Sequence, residues 1–292
     1  MSFRTVKISK RCKLETQLNY LLCRAEDETR ILLDEISLLI IENQQVCITQ
    51  ALLTELVKHK IRVVFCDETH NPISEVQPYA STYDSYGKIK TQTSWNEEQK
   101  NKLWQKIVKN KIHNQAQVLK YSKHIDEYNS LIKFRDEVLV GDTTNREALA
   151  AKMYFSTLFG NDFDRRNCKE IKNIYLNYGY SIILAAINRE IACFGYLSQI
   201  GIHHIGEQNP FNLGCDLMEP FRPFVDLFVV KNRINEDDFK STFIKLPSTE
   251  IHIADKTMYM ENAMNIYVLS ALNSFKSDDY DLPMVTFLDE QL

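Results

Sequence analysis

Apolar positions in the first seventy residues fall into short runs. Residues 3–8 alternate, 20–23 and 30–33 are short apolar segments, and 38–41 is a continuous apolar run, with charged clusters such as Glu26-Asp27-Glu28 between them. Alternation and short apolar runs of this kind predict β-strands separated by turns. Leu52, Leu53, Leu56 and Val57 recur at helical spacing behind Thr49, which predicts one short helix capped by that threonine. Lys60 leads into a β-branched strand over 61–66, and Asn71-Pro72 marks a turn. Residues 1–77 therefore read as a small β-sheet domain with one helix.

Residues 78–94 are polar, without a clear period, and read as a linker. From Trp95 to about Ala271 the period is helical. One helix carries Leu103, Trp104, Ile107 and Val108, another Tyr128, Leu131, Ile132 and Arg135. A third begins at Thr144, and a strongly apolar one spans roughly 178–200. The expected class is α+β: the small N-terminal β domain, then a larger all-helical catalytic domain over 95–292.

Composition narrows the function. Of 292 residues, 44% are hydrophobic and 25% charged, enough for a sizeable core. With eight glycines, neither GxxxxGK[ST] nor GxGxxG can be written, which excludes glycine-cradled nucleotide phosphates. Seven scattered cysteines form no CxxC pair, so neither a zinc site nor a disulfide framework is expected. The start lacks an apolar signal core, and no apolar run approaches the ~20 residues of a membrane span. A reducing cytoplasmic setting with no membrane partner is the expectation. Net charge is −4, yet between Lys88 and His124 nine lysines face two glutamates. That stretch reads either as a solvated helix face or as a phosphate-tracking surface, with Lys102, Lys106 and Lys109 as candidate DNA contacts. The end, from Ser277 on, is purely acidic: Asp278, Asp279, Asp281, Asp289 and Glu290.

Three segments carry candidate chemistry. Thr144-x-x-Glu147 reads as a capping box, or as a carboxylate in a first helical turn aimed at a cation. In Gly201-Ile202-His203-His204-Ile205-Gly206, adjacent histidines on extended chain point apart, so one imidazole at most enters a cleft there. In the run from Cys215 to Asp226, Asp216, Glu219 and Arg222 share a helical face, as an ion-pair cluster or as a metal site with a phosphate clamp. Carboxylates with one imidazole suit Mg²⁺ or Mn²⁺ better than zinc.

Asn173-x-x-Leu176-Asn177-Tyr178-Gly179-Tyr180, the Gly201–His204 motif and Asp216-Leu217-Met218-Glu219-x-x-Arg222-Pro223-x-x-Asp226 together resemble the CRISPR-associated spacer-acquisition integrase family, most closely its type II-A form. The resemblance covers essentially the whole chain. It implies a catalytic metal triad of Glu147 (before Ala150-Ala151-x-x-Tyr154-Phe155), His204 (before x-Gly206) and Glu219. Asp216, turned outward or behind the ligands, Arg222 and His203 are implied as auxiliary residues. The implied activity is that of a metal-dependent DNA endonuclease and integrase, with Mg²⁺ or Mn²⁺ as cofactor. It inserts short duplex DNA at a CRISPR repeat by attack of a 3′-hydroxyl on a phosphodiester. The implied partners are double-stranded DNA, a second copy of the chain joined through the β domains, and a small ferredoxin-like CRISPR-associated dimer, together a heterohexamer. A repair endonuclease using water, and a non-catalytic nucleic-acid-binding scaffold, remain as alternatives on the residues alone.

Overall fold

The computed structural model describes residues 4–67, 72–76, 85–231 and 239–288. Asn71, residues 78–84 of the expected linker, and Asp289 and Glu290 lie outside the described residues. The chain divides into two units, Met1–Ser81 and Thr82–Leu292.

The first unit contains β1 (Arg4–Ile8), β2 (Lys13–Gln17), β3 (Tyr20–Arg24), β4 (Glu28–Leu32), β5 (Ile36–Ile41), β6 (Cys47–Ile48), α1 (Gln50–Lys58), β7 (Arg62–Cys66) and β8 (Pro72–Glu75). Two four-stranded sheets form, in the orders β1-β5-β7-β8 and β4-β3-β2-β6. Strand β5 is buried at every position, as its continuous apolar run requires for the middle of a parallel set. Thr49 caps α1 by accepting from the Leu52 amide at 3.3 Å, and Leu52 and Leu56 join Leu14, Leu39 and Val63 in this unit's core.

The second unit contains α2 (Ser85–Thr93), α3 (Glu97–Tyr121), α4 (Ile125–Asp136), α5 (Arg146–Phe159), α6 (Ile171–Cys193), α7 (Asn212–Leu217), α8 (Arg222–Lys231), α9 (Phe239–Phe243), β9 (Glu250–Ile253), β10 (Lys256–Tyr259), α10 (Met260–Ser277) and β11 (Val285–Thr286). Helix α6 is apolar on nearly every side and α3 along a broad stripe, so both run through the core. Helix α2 lies in the stretch expected to be linker. Its fastening is polar: Gln92 Nε2 donates to the Leu197 and Ile200 carbonyls, and its Oε1 accepts from the Leu197 amide. Hydrophobic periodicity carries no trace of such an anchor.

The helical body expected over 95–292 also holds a small antiparallel sheet, ordered β10-β9-β11. Strands of two to four residues are too short to leave a period. Side chains of α3 pin this sheet: Asn110 brackets Val285 through its N–H and C=O, and Asn114 donates to the carbonyls of Val285 and Pro220. Helix α6 starts earlier than its densest apolar run and stops at Cys193, where Gly195 adopts φ +78° and turns the chain out.

Candidate metal centre

Glu147 sits in the first turn of α5, but Thr144 is not its cap. The helix begins at Arg146 after Asn145, which is left-handed at φ +53°. The buried Asp142 carboxylate accepts from the Arg146 amide at 2.8 Å and the Glu147 amide at 2.9 Å. A short turn at Val140–Asp142, with Gly141 at φ +72°, carries Asp142 back over those amides. The carboxylate thus satisfies two orphan donors and complements the positive helix end.

His204 lies in the loop between α6 and α7. Asp216 of α7 is fully buried, not turned outward, and receives four donors: the amides of Ile202 (2.6 Å), His203 (3.0 Å) and His204 (3.1 Å), and His204 Nδ1 at 2.6 Å. A carboxylate only accepts, so His204 Nδ1 carries the hydrogen and Nε2 is left to bind a proton or a metal. The hydrogen bond to Asp216 raises the imidazole pKa, against a lowering by burial, and the Asp216 and Glu219 charges add to the rise. His203 lies instead flat on Trp104, ring centroids 4.2 Å apart and planes 3° from parallel. His204 also lines a cleft of ≈ 490 Å³ with Lys100, Gln199, Asn209 and Asn212.

Glu219 opens a single 3-10 turn before α8 and is buried. Its Oε1 lies 3.0 Å from Arg222 Nε, and its Oε2 lies 2.6 Å from Lys111 Nζ. Both contacts are ion pairs that offset these buried charges, and among the described residues neither Glu219 Oε2 nor Arg222 Nε has a well-directed hydrogen bond. Burial pushes the Glu219 pKa up, and the Arg222 and Lys111 charges outweigh it and hold the carboxyl below its ordinary range. Lys111 Nζ also donates to Glu147 Oε1. Glu147 and Glu219, 72 positions apart, therefore converge on one ammonium. Burial opposes the charge on Lys111, and the two carboxylates overcome it and raise its pKa. Among the described residues, no three His, Cys, Asp or Glu side chains enclose one point closely enough to hold an ion. The lysine stands between the two acids, with His204 beside Glu219.

Arg222 also packs on the Tyr180 ring, its guanidinium carbon 4.8 Å from the centroid. Tyr180 and Tyr154 both donate to the buried Asp226 carboxylate, Tyr154 at 2.9 Å. Of the lysines expected to meet DNA, Lys102 is paired with Glu98 at 2.7 Å and Lys106 lies 3.5 Å from Asp281.

Sequence reasoning missed Lys111 and Asp142. Lys111 belongs to the basic stretch, yet it falls on the stripe of Leu103, Trp104, Ile107, Val108 and Ile112 that α3 buries. A lysine in an apolar stripe signals a buried partner. Asp142 precedes the helix by four positions, and only the left-handed Gly141, Asp142 and Asn145 bring it within reach.

The family profile described as CRISPR associated protein Cas1 matches residues 7–258. The chain belongs to the Cas1 family. The CRISPR-associated endonuclease Cas1 of Neisseria meningitidis is 38% identical over 231 residues, covering 79% of this Cas1 chain and 76% of that protein. In fold, this Cas1 chain is similar to a casposase bound to its integration product, with a TM-score of 0.78 and 17% identity over 97% of this chain and 92% of that one. It is similar also to a chain of a partial Cas6-RT-Cas1–Cas2 complex, with a TM-score of 0.64 and 18% identity over 96% and 97%. Among the described residues, no helix of this Cas1 chain is long and apolar enough to cross a membrane.

Proposed function

We propose that this chain is a metal-dependent DNA endonuclease and integrase of CRISPR adaptation, joining short duplex DNA to the repeat by attack of a 3′-hydroxyl. The observation that carries the reading is the convergence of Glu147 and Glu219 on one buried cation, beside an imidazole whose Nδ1 is fixed by Asp216. The endonuclease name of the Neisseria relative and the integration product bound by the casposase support it.

The donor set fits Mg²⁺ or Mn²⁺. Two carboxylates and an imidazole suit an oxygen-preferring divalent ion, and Glu219 Oε2 is a buried acceptor that already draws a cation, the Lys111 ammonium at 2.6 Å. Glu147, His204 and Glu219 would hold it. When bound, such an ion polarises the phosphodiester and offsets the charge developing on it, a contribution of several kcal/mol. The chain's own residues supply position and charge. Asp216 aims His204, Asp142 aims Glu147, and Arg222 keeps Glu219 ionised in a buried place. Lys100, in the cleft beside His204, is placed to hold a backbone phosphate, and Lys102, Lys106 and Lys109 lie along one face of α3 as further DNA contacts. The assembly that fits this reading is a homodimer through the N-terminal units, flanking a small ferredoxin-like CRISPR-associated dimer in a heterohexamer. Its support is the fold likeness to a chain of a Cas1–Cas2 complex.

A joining assay with a duplex bearing free 3′-hydroxyls and a repeat-containing target tests the reading. Glu147→Gln, His204→Ala and Glu219→Gln should each lower joining by roughly two orders of magnitude or more, the scale of several lost kcal/mol. Full joining in any of them rejects the ligand assignment. Shortened strands with no joined product would instead make the protein a hydrolytic endonuclease, and no processing at all would leave a nucleic-acid scaffold.

A further inference from the structure

The proposed reaction leaves Lys111 without a task. Its side chain is 9% exposed, and its ammonium reaches both Glu147 and Glu219. Without it the buried Glu219 and the half-buried Glu147 carboxylates would face each other with no cation between them, and like charges so placed repel. With Arg222 counted, the cluster holds two cations against two anions, so it is neutral as it stands. A divalent ion bound by the same carboxylates would have to occupy the position that the ammonium fills. Two cations cannot share that space, because the repulsion between them would exceed what either gains.

Resting on the metal-centre reading above, we propose that Lys111 is an internal counter-ion that keeps the two carboxylates assembled in the metal-free protein and leaves when a divalent cation enters. Metal binding is then an exchange of one cation for another in a site already built. The protein thereby avoids two facing acids with only Arg222 to offset them before loading. The cost of the exchange is a weaker affinity for the ion than the donor set alone would give. Geometry supports exchange over coexistence. Lys111 Nζ is shared between the two acids and does not lie to one side of either. Its contact with Glu219 Oε2, at 2.6 Å, is one that an entering cation would have to displace.

The test is Mn²⁺ titration by calorimetry on the full chain, with thermal melts of the metal-free protein. Lys111→Met should bind Mn²⁺ roughly tenfold tighter than the parent, within the usual range of coupling between two ligands. Its metal-free form should melt lower, and added Mn²⁺ should restore more of the loss than in the parent. Lys111→Arg, which keeps a cation between the acids, should show no tightening. Equal or weaker Mn²⁺ binding by Lys111→Met overturns the exchange. If that variant does not fold, amine labelling of the parent decides. Modification of Lys111 should be slow in the metal-free protein and faster with saturating Mg²⁺, and an unchanged or slower rate with metal bound overturns the proposal. A parent protein that binds no Mn²⁺ at all would sink the metal-centre reading itself, a different result from a parent that binds it and a variant that binds it no better.

Discussion

Asp216 shows how a buried carboxylate can be satisfied by backbone amides and one imidazole. A carboxylate in that place with no donors would bear the full cost of its lost hydration. Three backbone amides and the His204 ring replace the water it gives up, and charge-assisted hydrogen bonds of this sort are the strong ones. The loop can close on the carboxylate only because residue 201 has no side chain. A Cβ on Gly201 would overlap the His204 carbonyl oxygen and stand 2.9 Å from Asp216 Oδ2 and 3.0 Å from Asn212 Cβ. The first obstacle is backbone, so a new methyl cannot be absorbed by turning a side chain. Gly201→Ala should therefore displace the loop and cost about 1–3 kcal/mol in urea denaturation, the range for overpacking. By moving His204 it should also weaken Mn²⁺ binding by roughly 10–100-fold, as losses of outer-shell support do. Calorimetry beside the denaturation curve checks both. Parent-like Mn²⁺ affinity would show that this loop does not position the ligand.

Helices α5, α6 and α8 meet at Asp226, which Tyr154 and Tyr180 hold and which Arg222 overlooks from across the Tyr180 ring. Burial lifts the Asp226 pKa to about 6, and the two tyrosine hydrogen bonds only partly offset it. The native pKa thus lies above the unfolded value, near the ordinary aspartate range. In that case the folded state binds more protons between the two values, and stability falls as pH rises through the window from about 4 to about 6. Each unit of difference is about 1.4 kcal/mol, so the loss is on the order of 2–3 kcal/mol. Asp226→Asn cannot titrate. Urea melts at pH 4.5 and 7.5 should show it gaining on the parent by that order as pH rises, whatever its stability at either pH. An equal pH dependence in parent and variant would remove Asp226 from the account. At this same scale lies the boundary of what was legible. Long periodic helices such as α3 and α4, the strands β1, β3, β5 and β7, and the Thr49 cap follow from local pattern. The sheet β10-β9-β11, helix α2 and the Asp142 cap do not, because each depends on a side chain reaching backbone far away in sequence or around left-handed turns. Glu147, His204 and Glu219 could be singled out by motif. That Glu147 and Glu219 meet at Lys111 could not, since convergence belongs to the packing of α3 against α5 and the Glu219 turn.

Across the whole molecule, charge is arranged so that a basic run coexists with a net charge of −4. Its lysines are not equivalent. Lys111 is spent inside the core, Lys102 and Lys106 are drawn to Glu98 and Asp281, and Lys100 is drawn to Glu97 at 3.0 Å. Exposed pairs of this type are weak, about 0–1 kcal/mol, and are broken readily by a phosphate. Breaking them nevertheless changes the ion count. A lysine that leaves a carboxylate for DNA frees that carboxylate to gather cations, which offsets part of the counterion release from the duplex. A free lysine should contribute close to the full slope of about −0.9 in log affinity against log salt concentration. A paired one should contribute distinctly less. Replacing Lys102, Lys106 and Lys109 together by Ala should then weaken duplex binding and make the salt slope shallower by about one to two, short of the nearly three expected for free cations. Titrations of a fluorescent duplex at several salt concentrations measure it directly. An unchanged slope would return this face of α3 to ordinary solvated surface. A drop of nearly three would mean that Glu98 and Asp281 do not hold their lysines in solution.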